Sequence, residues 1–577
     1  MKKYLHIDLA RHAVETAELH GEAIIESGRY LIAKTLLAGG IARVDPWSPA
    51  NPLIFSAGPF AGVGFSNGGR ISVGCRSPLT GGVKEANSGG TFGTALGHLC
   101  IAGLTLQGRS DGWVVIHLLK DGSIRFDSAE PLMGKGNNEA AALIREIYGR
   151  RTSFSLCGPV GEYCGIVSGI AFSDVEGRPS RLAARGGVGA VMGNKRVKAI
   201  VADLDKIPEL HDKKKAFENI RSYAGKINEQ DAVRTLRELG TAFVADLFNY
   251  TGGLPLRNFS SGRLVEPGAE PLKVGGEFIR RQNMGRGGKT AHTCMGGCAI
   301  QCGNVYVDPD GKEVVSHLDY ENIVMLGTNL GLTEPDDIAR LNAIANDLGV
   351  DTIETGATIA ILMDAGYGRF GDIAFIVEAL NDIRRGTERG RILARGAEKV
   401  GLHYGARRVP VIKHQALSAH DPRIVEVTGI SMMTTPQGAD HTTGNVPAFD
   451  SKGKTLPELA LVSFNSQVNT AVADSLGLCA FGRSVTDANH ELLAETINHI
   501  HGTEIEPRAI RKLGIDALLM EREFNRAVGF APEDDGLPAF FYEESLAPTG
   551  RRARFSGKEV NQSLNELFAA EQAAGIT

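Results

Sequence analysis

The 577-residue chain has no apolar run approaching the roughly 20 residues needed to cross a bilayer. Its opening, Met1-Lys-Lys-Tyr-Leu-His-Ile-Asp-Leu9, lacks a signal-peptide core, so no membrane span and a cytoplasmic location are expected. There is no basic stripe: the formal net charge is −5 with both signs interspersed, which argues against nucleic acid or another polyanion as partner. No low-complexity linker and no convincing internal repeat is legible. The dinucleotide fingerprint and the P-loop are both missing, because the required strand, spacing and Lys are not there.

What is present is length. A chain of 577 residues exceeds what one hydrophobic core can organise, so several domains with extensive shared interfaces are expected. Residues 1–208 alternate Gly clusters with short β-type runs, namely Tyr4 to Leu9, Leu53 to Ala57, Arg70 to Val73, Trp113 to Leu118 and Val197 to Ala202. In 209–410 helical periodicity takes over. It is clearest where Ile338, Leu341, Ile344 and Leu348 share one face behind the start signal Thr333-Glu-Pro-Asp336. Residues 411–577 mix loops carrying His and Asp with helices near 485–502 and 507–528. The pattern predicts an α+β protein: a β-rich N-terminal domain followed by two mainly α-helical domains.

Eight cysteines are unevenly spread. Three crowd into Cys294-Met-Gly-Gly-Cys298-Ala-Ile-Gln-Cys302, and a fourth, Cys479, ends Asp474-Ser-Leu-Gly-Leu-Cys479. Three near and one remote is the ligand pattern of a cubane 4Fe-4S cluster, which takes four thiolates. The alternative is a stripe of small core residues on one helix face. Gly296 and Gly297 oppose that helix, each at a cost of about 1 kcal/mol, so the segment reads as a loop wrapped around something. Cys75, Cys100, Cys157 and Cys164 share no ligand spacing and read as buried thiols. Unpaired cysteines suit a reducing compartment.

The 72 glycines are densest in the first two hundred residues, which suggests tight turns or close backbone approach to a ligand. Gly68-Gly-Arg70, Ala86-Asn-Ser-Gly-Gly90 and Ala183-Ala-Arg-Gly-Gly-Val-Gly189 each set backbone amides beside a polar or cationic side chain, the arrangement that cradles phosphates. Taken singly, each reads as a turn before it reads as a ligand site.

These residues resemble one family, the aldehyde ferredoxin oxidoreductases, which carry tungsten, sometimes molybdenum, on two pterins. The resemblance is strongest in Ser77-Pro-Leu-Thr-Gly81, Ala86-Asn-Ser-Gly-Gly90, Arg185-Gly-Gly-Val-Gly-Ala-Val-Met-Gly193, Leu348-Gly-Val-Asp-Thr-Ile353 and Asp474-Ser-Leu-Gly-Leu-Cys479. It implies that the first domain is a base for the cofactor and that two helical domains close over it. It also implies that Arg70 lies between cluster and pterin, and that Asp474 accepts pterin N–H bonds, where a helix N-cap is the alternative. The main-chain carbonyls of Asn87 and Ala183 would hold a magnesium ion between the cofactors' phosphates. Gly89, Arg185, Gly349, Val350 and Leu478 fall in the matching cofactor-binding segments.

Two departures stand out. Where the family often reads Asp-x-x-Gly-Leu-Asp, this chain has Asn346-Asp-Leu-Gly-Val-Asp351, so the amide Asn346 replaces a carboxylate. Where the family spaces its triplet C-x-x-C-x-x-x-C, an extra residue separates Cys294 from Cys298. Radical enzymes that use S-adenosylmethionine favour C-x-x-x-C-x-x-C, and neither the spacing here nor the fourth cysteine suits that class.

For chemistry, the resemblance makes Glu321 in Leu318-Asp-Tyr-Glu321 and His441 in Gly438-Ala-Asp-His-Thr-Thr443 the acid/base pair. The carboxylate would take a proton from water and the imidazole would polarise an aldehyde carbonyl. His414 and His420 compete for the histidine role. Electrons would leave through the cluster to ferredoxin or a ferredoxin-like iron-sulfur subunit. Two alternatives stay open: a cluster-bearing electron-transfer subunit, and a family member catalysing another low-potential reduction. A homo-oligomer is admitted by the sequence and not required by it.

Overall fold

A computed structural model describes residues 2–573. The first two hundred residues form two six-stranded sheets. One contains β1 (Lys2–Asp8), β2 (Ala13–Leu19), β3 (Leu53–Ala57), β4 (Ile71–Arg76), β5 (Val83–Ser88) and β6 (Ile101–Gln107). The other contains β7 (Val114–Leu118), β8 (Ile124–Ser128), β9 (Thr152–Cys157), β10 (Ile170–Phe172), β11 (Arg181–Ala183) and β12 (Val197–Asp203).

Their strand orders are β2-β1-β6-β3-β4-β5 and, read from the other edge, β8-β7-β12-β9-β10-β11. Each sheet has one parallel pair, β1 with β6 and β7 with β12, and the other pairs are antiparallel. The second sheet therefore repeats the topology of the first, which corrects the expectation of no internal repeat. Sheet pairing requires only alternation and turn positions, so two halves can share a topology while their side chains diverge. One trace does survive in the sequence. Gly89-Gly90 and Gly186-Gly187 each precede a seven-residue helix, Phe92–His98 and Val188–Asn194. A Cβ added at Gly93, Gly97, Gly189 or Gly193 on those helices would strike the carbonyl oxygens of Gly69, Ala61, Gly169 and Gly161. Much of the glycine enrichment thus serves helix-on-backbone packing inside each half.

The remainder is mainly helical. The Pro335–Leu348 helix starts at the expected proline and buries Ile338, Leu341 and Leu348. Two elements were not legible in the sequence. The first is a three-stranded sheet of β13 (Lys289–His292), β14 (Gly303–Val307) and β15 (Glu313–Val315). The second is the 20-residue helix Leu456–Ser475, which is buried on several faces and so has no clean amphipathic stripe. The cores cross the segment limits read from the sequence. One joins Phe60 and Phe65 to Ile220, Tyr223, Ile300, Leu478 and Ile497. Another joins the Pro335–Leu348 helix to Val160 and Ala416. No described helix is long and apolar enough to cross a membrane.

Candidate functional site

β13 leads into the cysteine loop and β14 leads out of it, and between them the chain is irregular, as Gly296 and Gly297 require. Gly297 takes φ 80°, in the left-handed region that glycine enters without penalty. The loop is tied down by Ala299 N–H donating to Ser66 Oγ at 3.0 Å. Cys479 follows the Leu456–Ser475 helix. Asn67 clasps it from both sides: Cys479 N–H donates to the Asn67 carbonyl at 2.9 Å, and Asn67 Nδ2 donates to the Cys479 carbonyl at 3.1 Å.

Cys294, Cys302 and Cys479 line one cavity together with Arg70, Asn87 and Gly89, a space of ≈ 920 Å³ including its mouth. Cys298 faces the same thiols. Burial, then the neighbouring thiols, pushes Cys302 well above the ordinary thiol range, and burial pushes Cys294 up to about 12. Thiols raised in this way have to be ionised by something strongly cationic before they become ligands. Among the described residues the one His/Cys/Asp/Glu trio whose ligand atoms all lie within 4.8 Å of one another is Glu321, His420 and His441, so no three of the cysteine sulfurs are drawn that close together.

Arg70 reaches into this space. Its guanidinium donates from Nε to Asn87 Oδ1 at 2.7 Å and from a terminal nitrogen to the Asn87 carbonyl at 3.2 Å. Burial lowers the Arg70 pKa, but Cys479, Cys294 and Asp474 outweigh that and raise it. Asn87 Nδ2 bridges two buried carboxylates, Asp474 Oδ1 at 3.1 Å and Glu85 Oε2 at 3.3 Å. Burial and then their mutual repulsion raise Asp474, while Arg29 and Arg70 draw it down. Glu85 Oε1 is buried without a partner. Asp474 is the next-to-last residue of its helix, so the N-cap alternative is wrong; the apolar turn after it ends a helix and does not begin one.

Asn346 and Val350 line the opposite wall of the cavity. Gly349 caps the Pro335–Leu348 helix at φ 70°, and its carbonyl accepts from Gly169 N–H at 2.9 Å. Ala183 ends β11 and is buried. The Arg185 guanidinium turns away from the cavity and donates to the Ala439 and Ala416 carbonyls at 2.6 and 2.5 Å and to Asp351 at 3.3 Å, so it anchors the segment that carries His441. Leu478 is wholly buried on the cysteine side, bridged to Gly68.

Glu321 sits in the first turn of the Tyr320–Met325 helix, beside Asn322 of the cavity wall. Its Oε2 accepts from Ala419 N–H at 2.9 Å. Its Oε1 lies 3.1 Å from His420 Nδ1 and 3.3 Å from His441 Nε2, both off-axis, so it has no aligned hydrogen bond. His441 Nδ1 is also buried without a partner. Burial pushes Glu321 up, but His441, His420 and the Ala419 N–H outweigh it and hold the carboxylate at about 2. Burial pulls His441 down to about 4 against the attraction of Glu321. At neutral pH the carboxylate is ionised and the imidazole neutral, because burial opposes the imidazolium more than one carboxylate favours it. His414 is set apart from this group, half-exposed and paired with Glu398 at 2.8 Å.

Sequence comparison identifies the family. Residues 4–204 match the aldehyde ferredoxin oxidoreductase N-terminal domain, and residues 218–572 match domains 2 and 3 of the same family. The tungsten-containing aldehyde ferredoxin oxidoreductase of Pyrococcus furiosus is 30% identical over 94% of this chain and 92% of its own. That of Pyrococcus horikoshii is 31% identical over 87% and 85%. A P. furiosus aliphatic sulfonate oxidoreductase, WOR-like subunit, is 26% identical over 94% and 89%. In fold, the active site complex BamBC of benzoyl coenzyme A reductase with 1,5-dienoyl-CoA superposes with a TM-score of 0.82 at 19% identity, covering 98% of this chain and 94% of that one. The two matched domain regions, with relatives of this identity along nearly the whole length, establish that this oxidoreductase belongs to the aldehyde ferredoxin oxidoreductase family.

Proposed function

We propose that the protein oxidises a small aldehyde to the carboxylic acid at a tungsten, or molybdenum, bis-pterin centre and passes the electrons through a 4Fe-4S cluster to a ferredoxin-type partner. The observation that carries this is the pair of buried polar atoms without aligned partners, Glu321 Oε1 and His441 Nδ1, with Glu321 next in sequence to Asn322 in the wall of a cavity that the thiols Cys294, Cys302 and Cys479 also line. Such groups are seldom left unpaired without a ligand to meet them.

The residues fit the cofactor. Asp474, Glu85 Oε1 and Asn346 offer acceptors for pterin N–H groups, with Arg70 between them and the thiols. Asn346, Gly349 and Val350 serve the second pterin, and the backbone of Arg185 through Gly187 serves its phosphate. Asn87 and Ala183 lie at the ends of β5 and β11, matching strands of the two repeated sheets, which suits carbonyl ligands to one magnesium between two like groups. When bound, the metal would accept the two electrons.

Aldehyde plus water gives the acid, two protons and two electrons. The chain's part is to take the proton released as the water oxygen joins the carbonyl carbon. With Glu321 ionised beside Nε2, the Nε2 position carries the hydrogen and the free lone pair of His441 is on Nδ1. The proton enters there, and Glu321 at 3.3 Å balances the imidazolium. This shifts the base from the carboxylate alone to the pair. Ala419 N–H holds the carboxylate in place.

Iron and heavy-metal analysis with pterin extraction tests the reading: about four iron atoms and about one tungsten or molybdenum per chain are expected, with aldehyde-dependent reduction of a dye. Iron without either heavy metal, from cells supplied with both, would favour an electron-transfer subunit instead.

A further inference from the structure

Two imidazoles approach Glu321, and hydrogen-bond polarity tells them apart. The main-chain N–H of Val446 can only donate, and it donates to Thr428 Oγ1 at 3.1 Å. That hydroxyl donates in turn to Asn445 Oδ1 at 3.1 Å. With its oxygen engaged, Asn445 presents Nδ2 to His420 Nε2 at 3.2 Å. An amide NH2 only donates, so Nε2 holds a lone pair and the single ring proton belongs on Nδ1. Nδ1 faces Glu321 Oε1 at 3.1 Å and Ser418 Oγ at 3.3 Å. Ser418 is free to accept, because its own proton goes to Met432 Sδ. The ring is 2% exposed, flanked edge-on by Phe248 and Tyr320, and stacked on His441 at 4.7 Å.

We propose that His420 is a positioning residue, held as the Nδ1–H tautomer between the Asn445 amide at Nε2 and the acceptor Glu321 Oε1 at Nδ1, which aims Glu321 and leaves proton exchange to His441. The proposal rests on the assignment of Glu321 and His441 as the acid/base pair. Its physical content is a division of labour between two stacked rings. A second imidazolium 4.7 Å from His441 would repel the proton that His441 must accept. A ring that points its Nδ1–H dipole at Oε1 from 3.1 Å, without an aligned hydrogen bond, biases the carboxylate electrostatically without that repulsion.

The test uses the holoenzyme. His420→Asn puts an amide N–H near the Nδ1 position, whereas His420→Gln puts it near Nε2. With metal content unchanged in both, His420→Asn should keep kcat within about tenfold and His420→Gln should lose about 100-fold, the lower end for a lost proton-transfer geometry. Asn445→Asp should reverse the polarity, put a proton on Nε2 and move the acid limb of the kcat–pH profile. Imidazole 15N shifts of His-labelled protein, assigned by the signal lost in His420→Asn, should show a ring that carries hydrogen on Nδ1 and a lone pair on Nε2. An Nε2–H or doubly protonated ring, or equal losses in the Asn and Gln variants, overturns the proposal. If Glu321→Gln keeps full turnover, the acid/base reading itself has failed; if Glu321→Gln is inactive and the His420 variants do not separate, only the present inference has.

Discussion

Gly89 and Cys294 touch across the boundary between the β-rich base and the cysteine loop: a Cβ built on Gly89 would lie 2.8 Å from the Cys294 sulfur. The glycine follows β5, the strand that carries Asn87, and the cysteine follows β13, so this contact, with the Ala299–Ser66 bond, seats the cysteine loop against the β-rich domain.

Gly89→Ala should therefore displace Cys294 and lower the iron content of purified protein, with near-native helix content by circular dichroism. The side chain that would have to yield is the Cys294 thiol, the proposed cluster ligand, in a tied loop, so relaxation is limited. Full iron occupancy in Gly89→Ala would mean that Cys294 is not held there by the cluster.

The odd spacing is tested separately. Cys294→Ser should degrade the 4Fe-4S absorption and electron paramagnetic resonance signals about as badly as Cys479→Ser, because both thiols line the same cavity. Cys100→Ser should leave the cluster intact, since Cys100 lies outside that group. An unchanged spectrum in Cys294→Ser removes it from the ligand set.

Glu321→Gln preserves shape and removes the charge that balances His441. Turnover of aldehyde with an artificial acceptor should fall by roughly 100- to 10,000-fold while iron and heavy-metal contents stay normal. His441→Asn should behave likewise. Full cofactor with near-normal turnover in both variants would withdraw the pair.

The pH dependence follows from the same two groups. Glu321, at about 2, stays ionised through the working range, and His441, at about 4, stays neutral until the solution is quite acidic. The rate with a dye acceptor should be flat from about pH 8 to 5 and fall below that as Nδ1 protonates. The limb should vanish in His441→Asn. Because His441 is lowered from 6.5, the unfolded chain binds more protons than the folded one between 6.5 and about 4. Stability should therefore decline on acidification through that window, and less so in His441→Asn.

The sequence by itself determined the parts governed by local rules. Short β-type runs gave the strands at Leu53–Ala57 and Val114–Leu118, a proline start gave the Pro335–Leu348 helix, and paired glycines ruled out a helix through the cysteine triplet. It also listed the reactive groups, because thiols, carboxylates and imidazoles are visible as letters. Tertiary structure decided what those groups meet. Only packing revealed that the two sheets repeat one topology, that Asp474 ends a helix, and that Arg185 anchors the His441 segment. Only three-dimensional placement separated His414, paired with Glu398, from His420, inserted between Asn445 and Glu321. Those distinctions rest on partners 16 to 99 residues apart in the chain. No local spacing rule reaches that far, since proton position and pKa follow from the atoms within a few ångströms and not from the neighbours in sequence.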